Sequence, residues 1–402
     1  MKSLYFSFSL VVIVVTYWFI VPKKWRSNFL LLCSLAFISI FNLIYAFYYL
    51  IFVSIVYLTA LLIFEKKGKK KLSLFSFILV LLIGNLCFYK YFTVTLKGLN
   101  LALARLDLLP VIEIPSIAFP LGLSFVTFRL IHYIVEVYRG KIYPESFTGF
   151  TLYVLFFPTF LAGPVERFPK FKKQTVNIGA HGLKISNINY GLFRILEGII
   201  KKFFIADNLY RIIFPVIQNP QDFSKGALVV AIYISAIWLY MDLSGYTDMA
   251  IGLSRLFGYK IIENFNWPYF QKNIALFWRN WHISVYSWIR DYFYFPLFVY
   301  RGSKIKLYLG TFCTIMIFML WHQASWGFLF AGLYHGIGLV AWRFFQELKQ
   351  RYHFLSKLFN HRWLDPLSIV FTFSFVAFGV SIPFFAKNLA QIKIIILKLL
   401  EI

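Results

Sequence analysis

The chain has 402 residues, 60% of them hydrophobic and only 14% charged, against roughly 25% charged in a soluble domain. That balance excludes a soluble globular enzyme and indicates a polytopic membrane protein. The net charge of +25 would suit nucleic acid in a soluble chain. Here the cations crowd into short loops beside apolar stretches, the positive-inside pattern that faces anionic lipid, so no nucleic-acid partner is expected.

A membrane span needs about 20 mostly apolar residues. Apolar stretches lie at residues 4–21, 28–41, 44–64, 72–92, 117–137, 150–162 and 190–205. Further stretches follow at residues 227–241, 246–257, 274–296, 305–321, 326–345 and 364–385. Several are too short or too polar to cross alone. The reading is about ten or eleven transmembrane helices plus re-entrant pieces, all-α, in one membrane domain over residues 1–402. The first stretch is followed by Pro22, Lys23 and Lys24 without a small-residue cleavage site, and reads as a retained span. The run Lys66, Lys67, Lys69, Lys70, Lys71 and the group Lys23, Lys24, Arg26 mark cytoplasmic loops, which puts the N-terminus outside.

One conflict is informative. Arg139 and Lys141 mark a cytoplasmic loop, and so do Arg167, Lys170, Lys172 and Lys173. Between them lies one short apolar segment containing Pro158, Gly163 and Pro164. A segment that enters and returns on one side resolves this. Non-helical backbone at membrane depth requires cover by protein or a wet cavity, so residues 157–168 are expected to line a cavity. Cys33, Cys87 and Cys313 sit singly in apolar runs and form neither a disulfide framework nor a zinc motif.

Residues 242–335 gather the polar groups a bilayer normally excludes: Asp242, Asp248, Glu263, Asn264, Arg279, His282, Arg290, Asp291, His322 and His335. Ionisable groups inside a membrane mark a functional site by default. His322 follows Trp321 at the end of one apolar stretch, and His282 follows Trp281 near the start of another. A neutral imidazole takes a proton from an attacking hydroxyl near neutral pH and returns it to a leaving group. No G-x-S-x-G elbow is present, which favours direct transfer over a seryl intermediate. The structural alternative is a pair of core histidines bonded to backbone.

If residues 274–296 form one helix, Trp278, His282, Tyr286 and Arg290 share a face, with Arg279 beside it. Such a stripe suits a phosphorylated ligand; it equally suits a helix lying flat in the interface. Ser244, Gly245, Ala250, Gly252 and Ser254 read as close helix packing, with Asp242 and Asp248 available to cap or pair. Asn264, Asn266 and Pro268 read as a shaped loop.

At these residues the chain resembles the membrane-bound O-acyltransferase family, in its bacterial alginate O-acetylation and teichoic acid D-alanylation branches. The likeness rests on PLGLSFVTFRLIHYIVEVYRG at residues 120–140, FFPTFLAGPVERF at 156–168 and MDLSGYTDMAIGLSRLFGY at 241–259. It continues in ENFNWPY at 263–269, FWRNWHISVYSWIRDYFYFPL at 277–297 and MLWHQASWGFLFAGLYHG at 319–336. The resemblance implies helices around a funnel or tunnel, a cytoplasmic thioester donor such as acetyl-CoA or a carrier-protein thioester, and no permanently bound cofactor or metal. It also implies a glycan hydroxyl as acceptor and a separate extracytoplasmic, esterase-like partner. The family's catalytic histidine maps onto His322 and its second motif histidine onto His282. Trp278, Arg279, Trp281, Arg290 and Trp321 are the expected substrate-binding residues. Two departures are the Gln323 where Gly is usual, and LFVYRG after Pro296 where alginate-type members carry Gly-Gly-Asn. Competing readings are D-alanyl transfer, a lipid or protein acceptor, and a transporter or flippase without acyl chemistry.

Overall fold

The computed structural model describes residues 2–106, 113–115, 117–144, 146–180, 182–300, 302–359, 361–386 and 388–400. Every regular element among them is helical, and the chain is an all-α polytopic membrane protein. Among the described residues, seven helices are long and apolar enough to cross a membrane: Lys23–Phe41, Leu43–Glu65, Gly68–Ala104, Lys225–Leu256, Lys304–His322, Trp326–Arg351 and Arg362–Phe385. In the third, only 11% of the most apolar stretch is covered by protein. Apolar surface on that scale requires lipid around it.

Other stretches settle differently from the sequence expectation. Residues 227–241 and 246–257 belong to one helix, Lys225–Leu256, because Asp242 and Asp248 are neutralised by cations and need not leave the helix. Residues 274–296 are broken into Ile274–Asn280 and Ile283–Ile289, followed by the π-helix Arg290–Val299. Pro296 lies within that π-helix; it lacks an N–H, which favours the wider turn.

The described chain divides into two compact units, Met1–Leu196 with Thr247–Ile262, and Glu197–Tyr246 with Glu263–Ile402. At the centre of the first, the helix Leu123–Tyr138 is buried at every position from Leu123 to Val137. Arg129, His132 and Glu136 recur on it at three- and four-residue steps, so they share a face. Two of them serve the irregular segment at residues 156–168. Arg129 donates to the Val154 carbonyl at 2.8 Å, and to the Thr159 carbonyl and hydroxyl, each at 2.8 Å. His132 Nε2 accepts the Phe168 N–H at 2.9 Å.

Three further groups bond to the same segment. Ser34 Oγ accepts the Phe157 N–H at 3.1 Å, and the Tyr153 hydroxyl donates to the Glu166 carbonyl at 2.9 Å. The Glu166 carboxylate accepts the N–H groups of Arg167 and Ile262, both at 3.1 Å. These bonds pair much of the segment's polar backbone inside protein, the cover that non-helical backbone needs in a membrane setting. In the same unit, Gly252 and Gly191 let two helices touch. A Cβ on Gly252 would lie 2.6 Å from the Gly191 carbonyl oxygen. Arg194 pairs with Asp248 a turn away.

In the second unit, the helices Lys304–His322 and Trp326–Arg351 pack as a hairpin, with Asp365–Phe385 against the latter. Ser303 and Ser325 cap the two hairpin helices, their hydroxyls accepting the N–H groups of Lys306 and Phe328, as short polar side chains do at N-caps. Lys202 bridges Asp242 at 2.5 Å and Asp207 at 2.9 Å. Asp242 thus pairs as its setting within an apolar helix demands.

Candidate active site

The polar centre lies in the second unit, where the broken segment at residues 263–299 meets the end of the Lys304–His322 helix. Asn273 starts the short helix Ile274–Asn280, its side chain accepting the Leu276 N–H at 2.9 Å. The helix stops because a neighbouring loop takes its hydrogen bonds. The Asn266 N–H donates to the Asn280 carbonyl at 3.1 Å, and the Ile283 N–H donates to the Asn264 carbonyl at 2.8 Å. Between these points His282 adopts the left-handed conformation, φ +48° and ψ +47°. The expected stripe of Trp278, His282, Tyr286 and Arg290 on one helical face is therefore corrected: the break lies within it.

The break turns His282 toward His322. Their ring centres are 6.4 Å apart. His322 is the last residue of its helix and half-buried, whereas His282 is 5% exposed. Around His282 stand Phe265 at 5.8 Å, Phe318 at 6.1 Å and Trp321 at 6.1 Å. His322 meets Trp321 at 4.6 Å, Phe318 at 5.2 Å and Phe328 in a stack at 5.8 Å. His282 lies outside the seven long apolar helices, and burial pushes its imidazole down to about 4. It is therefore neutral at physiological pH. Gln323 has extended backbone, φ −162° and ψ 141°, so the turn after His322 does not require glycine.

The remaining sequence candidates separate. Trp321 forms a wall of the pair, and Trp281 is buried against Phe265 at 5.1 Å and Phe277 at 5.4 Å. Trp278 is fully buried and packs on Phe318 at 5.2 Å and His335 at 5.1 Å. It reaches the histidine pair through Phe318. Arg279 and Arg290 are exposed, and Arg290 is bonded to Asp291 at 2.9 Å. Among the described residues, no three His, Cys, Asp or Glu side chains gather as metal ligands would.

Asn264 is the residue that sequence reasoning undervalued. It is 1% exposed and touches His282 directly, its Nδ2 lying 3.1 Å from His282 Nδ1. Its side-chain oxygen accepts the Ser284 N–H at 3.1 Å and the Ser284 hydroxyl at 2.9 Å. The available signal was an asparagine among the polar groups of residues 242–335, within the motif ENFNWPY, and it was read as part of a shaped loop.

A multi-span helical chain with a facing histidine pair set in an aromatic wall is a membrane protein with a buried polar centre. The membrane-bound O-acyltransferase family model matches residues 125–382, and the chain belongs to that family. It is 36% identical over 307 residues to the "Probable alginate O-acetylase AlgI" of Pseudomonas aeruginosa, covering 75% of this chain and 55% of that protein. It is 33% identical over 271 residues to the teichoic acid D-alanyltransferase of Bacillus subtilis, covering 64% and 67%. It is 31% identical over 411 residues to the peptidoglycan O-acetyltransferase of Helicobacter pylori, covering 92% and 72%. The chain spans about half the length of the alginate-type relatives it matches.

Proposed function

We propose that the protein is an O-acyltransferase that moves an acetyl group from a cytoplasmic thioester donor toward a hydroxyl of a cell-surface polysaccharide. The observation that carries this reading is the His282–His322 pair, 6.4 Å between ring centres, inside an aromatic wall. His322, the more exposed member, takes the proton as the hydroxyl oxygen adds to the thioester carbonyl carbon. The tetrahedral intermediate collapses, the C–S bond breaks, and the proton passes from His322 to the departing thiolate. His282 holds the acyl carbonyl. Trp281 and Trp321 exclude water around the reacting atoms, which strengthens each electrostatic contact there. Arg279 and Arg290 are exposed cations suited to donor phosphates.

Relatives named for alginate and for peptidoglycan acetylation support an acetyl group and a glycan acceptor. The D-alanyltransferase relative supports D-alanyl transfer to teichoic acid as a second reading. Acetyl-CoA or a carrier-protein thioester is the donor substrate, with no resident cofactor. An extracytoplasmic esterase-like protein completes delivery to the glycan, and the enzyme resides in the cytoplasmic membrane.

The test is the ester-linked acyl content of envelope glycans, released by mild base and identified by mass. It is compared in a strain lacking the gene and in strains restored with the wild type or His322→Ala. Acetate restored only by the wild type is expected. D-alanine restored instead selects the second reading. Glycans unchanged among all the strains overturn acyl transfer.

A further inference from the structure

The clamp on His282 fixes more than its position. The atom of the Asn264 amide that faces the Ser284 backbone N–H, 3.1 Å away, must be oxygen, because a backbone N–H only donates. The Ser284 hydroxyl bonds the same atom at 2.9 Å. With the oxygen so placed, the amide nitrogen is the atom 3.1 Å from His282 Nδ1. That nitrogen also only donates, so Nδ1 must accept. A neutral imidazole carries one proton. With Nδ1 accepting, the proton is on Nε2. The Asn264 main chain adds a second hold, its carbonyl accepting the Ile283 N–H at 2.8 Å. Asn264 and His282 are 1% and 5% exposed, so bulk water does not compete for these bonds. Burial that keeps the ring uncharged, with a value near 4, agrees with a single-proton ring.

A ring of this kind is a donor at Nε2 and has no basic nitrogen to spare, since its one lone pair is already taken by Asn264. It cannot act as general base without losing that bond. We propose that Asn264 is a positioning residue that locks His282 as the Nε2–H tautomer, so that His282 donates to the acyl carbonyl oxygen as negative charge develops there, leaving His322 as the base. This deepens the acyl-transfer reading and rests on it. A preorganised donor at a developing oxyanion typically contributes about 10²–10³ in rate.

The lock is tested apart from the reaction. Detergent-solubilised protein labelled with ¹⁵N-histidine is observed by solid-state NMR, and the His282 signals are assigned by their loss in His282→Gln. Wild type is expected to show Nε2 protonated and Nδ1 unprotonated. Asn264→Asp keeps an acceptor for Ser284 but puts a second acceptor opposite Nδ1, so Nδ1 becomes protonated. A wild-type ring protonated at Nδ1, or an Asp variant with Nδ1 still bare, overturns the lock. The donor role is then tested by envelope acyl content. A glutamine amide still offers an N–H near the Nε2 position, so His282→Gln is expected to keep at least about a tenth of wild-type content, whereas His322→Gln falls more than about a hundredfold. Equal losses in the two variants, both present in the membrane at wild-type level, overturn the donor role even if the NMR pattern holds. Acyl content independent of the gene overturns the underlying reaction and the donor role with it, while the tautomer result stands by itself.

Discussion

Replacing Arg129 by Met removes the guanidinium and keeps most of the side-chain volume. Arg129 is 1% exposed and donates three hydrogen bonds at 2.8 Å to Val154 and Thr159. Bonds to charged groups contribute roughly 1.5–3 kcal/mol each, and each buried carbonyl left unpaired costs roughly 1–3 kcal/mol. Against this, the variant no longer desolvates a buried cation, which offsets several kcal/mol. The balance is a loss of about 4 kcal/mol, in line with breaking a buried charged network from one side. Thr159→Val removes only the hydroxyl and should cost about 1 kcal/mol. Unfolding by denaturant in mild detergent, followed by tryptophan fluorescence, reads both, and the double variant gives the coupling between them. An Arg129→Met protein within about 1 kcal/mol of wild type would refute the idea that this side chain holds the irregular segment closed.

Two more outcomes follow from specific positions. Gly252→Ala places a Cβ 2.6 Å from the Gly191 carbonyl oxygen and 2.9 Å from the Ile195 nitrogen, which should cost about 2 kcal/mol in the same unfolding assay. Gly84→Ala, with nothing within 4 Å of its Cβ, should be neutral or stabilising by up to about 1 kcal/mol, and equal losses at both positions would contradict the packing. His282, held at about 4 against 6.5 when unfolded, binds its proton only in the unfolded chain between those values. Its contribution is complete above pH 6.5 and is lost as pH falls to 4, by about 3 kcal/mol. The stability difference between wild type and His282→Gln should shrink by that amount from pH 7 to pH 4; a difference that does not change with pH refutes the burial argument.

Much of this organisation could be read in the chain itself. Composition reveals the helical membrane class, and Pro158, Gly163 and Pro164 mark the irregular segment. The histidines of the two Trp-His pairs mark the centre, and the structure brings them together. What could not be read depends on partners distant in sequence. Nothing local says that residues 274–296 break at His282, because the competing hydrogen bonds come from Asn264 and Asn266. Four-residue spacing then groups Trp278 with Arg290 along a helix that does not exist as one piece. Asp242 and Asp248 look like interruptions until Lys202 and Arg194 are placed beside them, after which a single long helix is the cheaper arrangement. Trp278 stands beside Arg279 in sequence, but its neighbours in space are Phe318 and His335.

The left-handed backbone at His282 also narrows what evolution can do there. A residue at φ +48° costs on the order of 1–2 kcal/mol for most L-amino acids, and glycine, asparagine, aspartate and histidine bear it most readily. Main-chain geometry thus screens the side chain before catalysis does, and the short list that passes is rich in hydrogen-bonding groups. Drift through alanine, valine or leucine would carry a folding penalty in addition to any loss of chemistry. A swap to asparagine would keep the bend, so that exchange is the route of least folding cost by which descendants of this sequence could change the second residue of the pair.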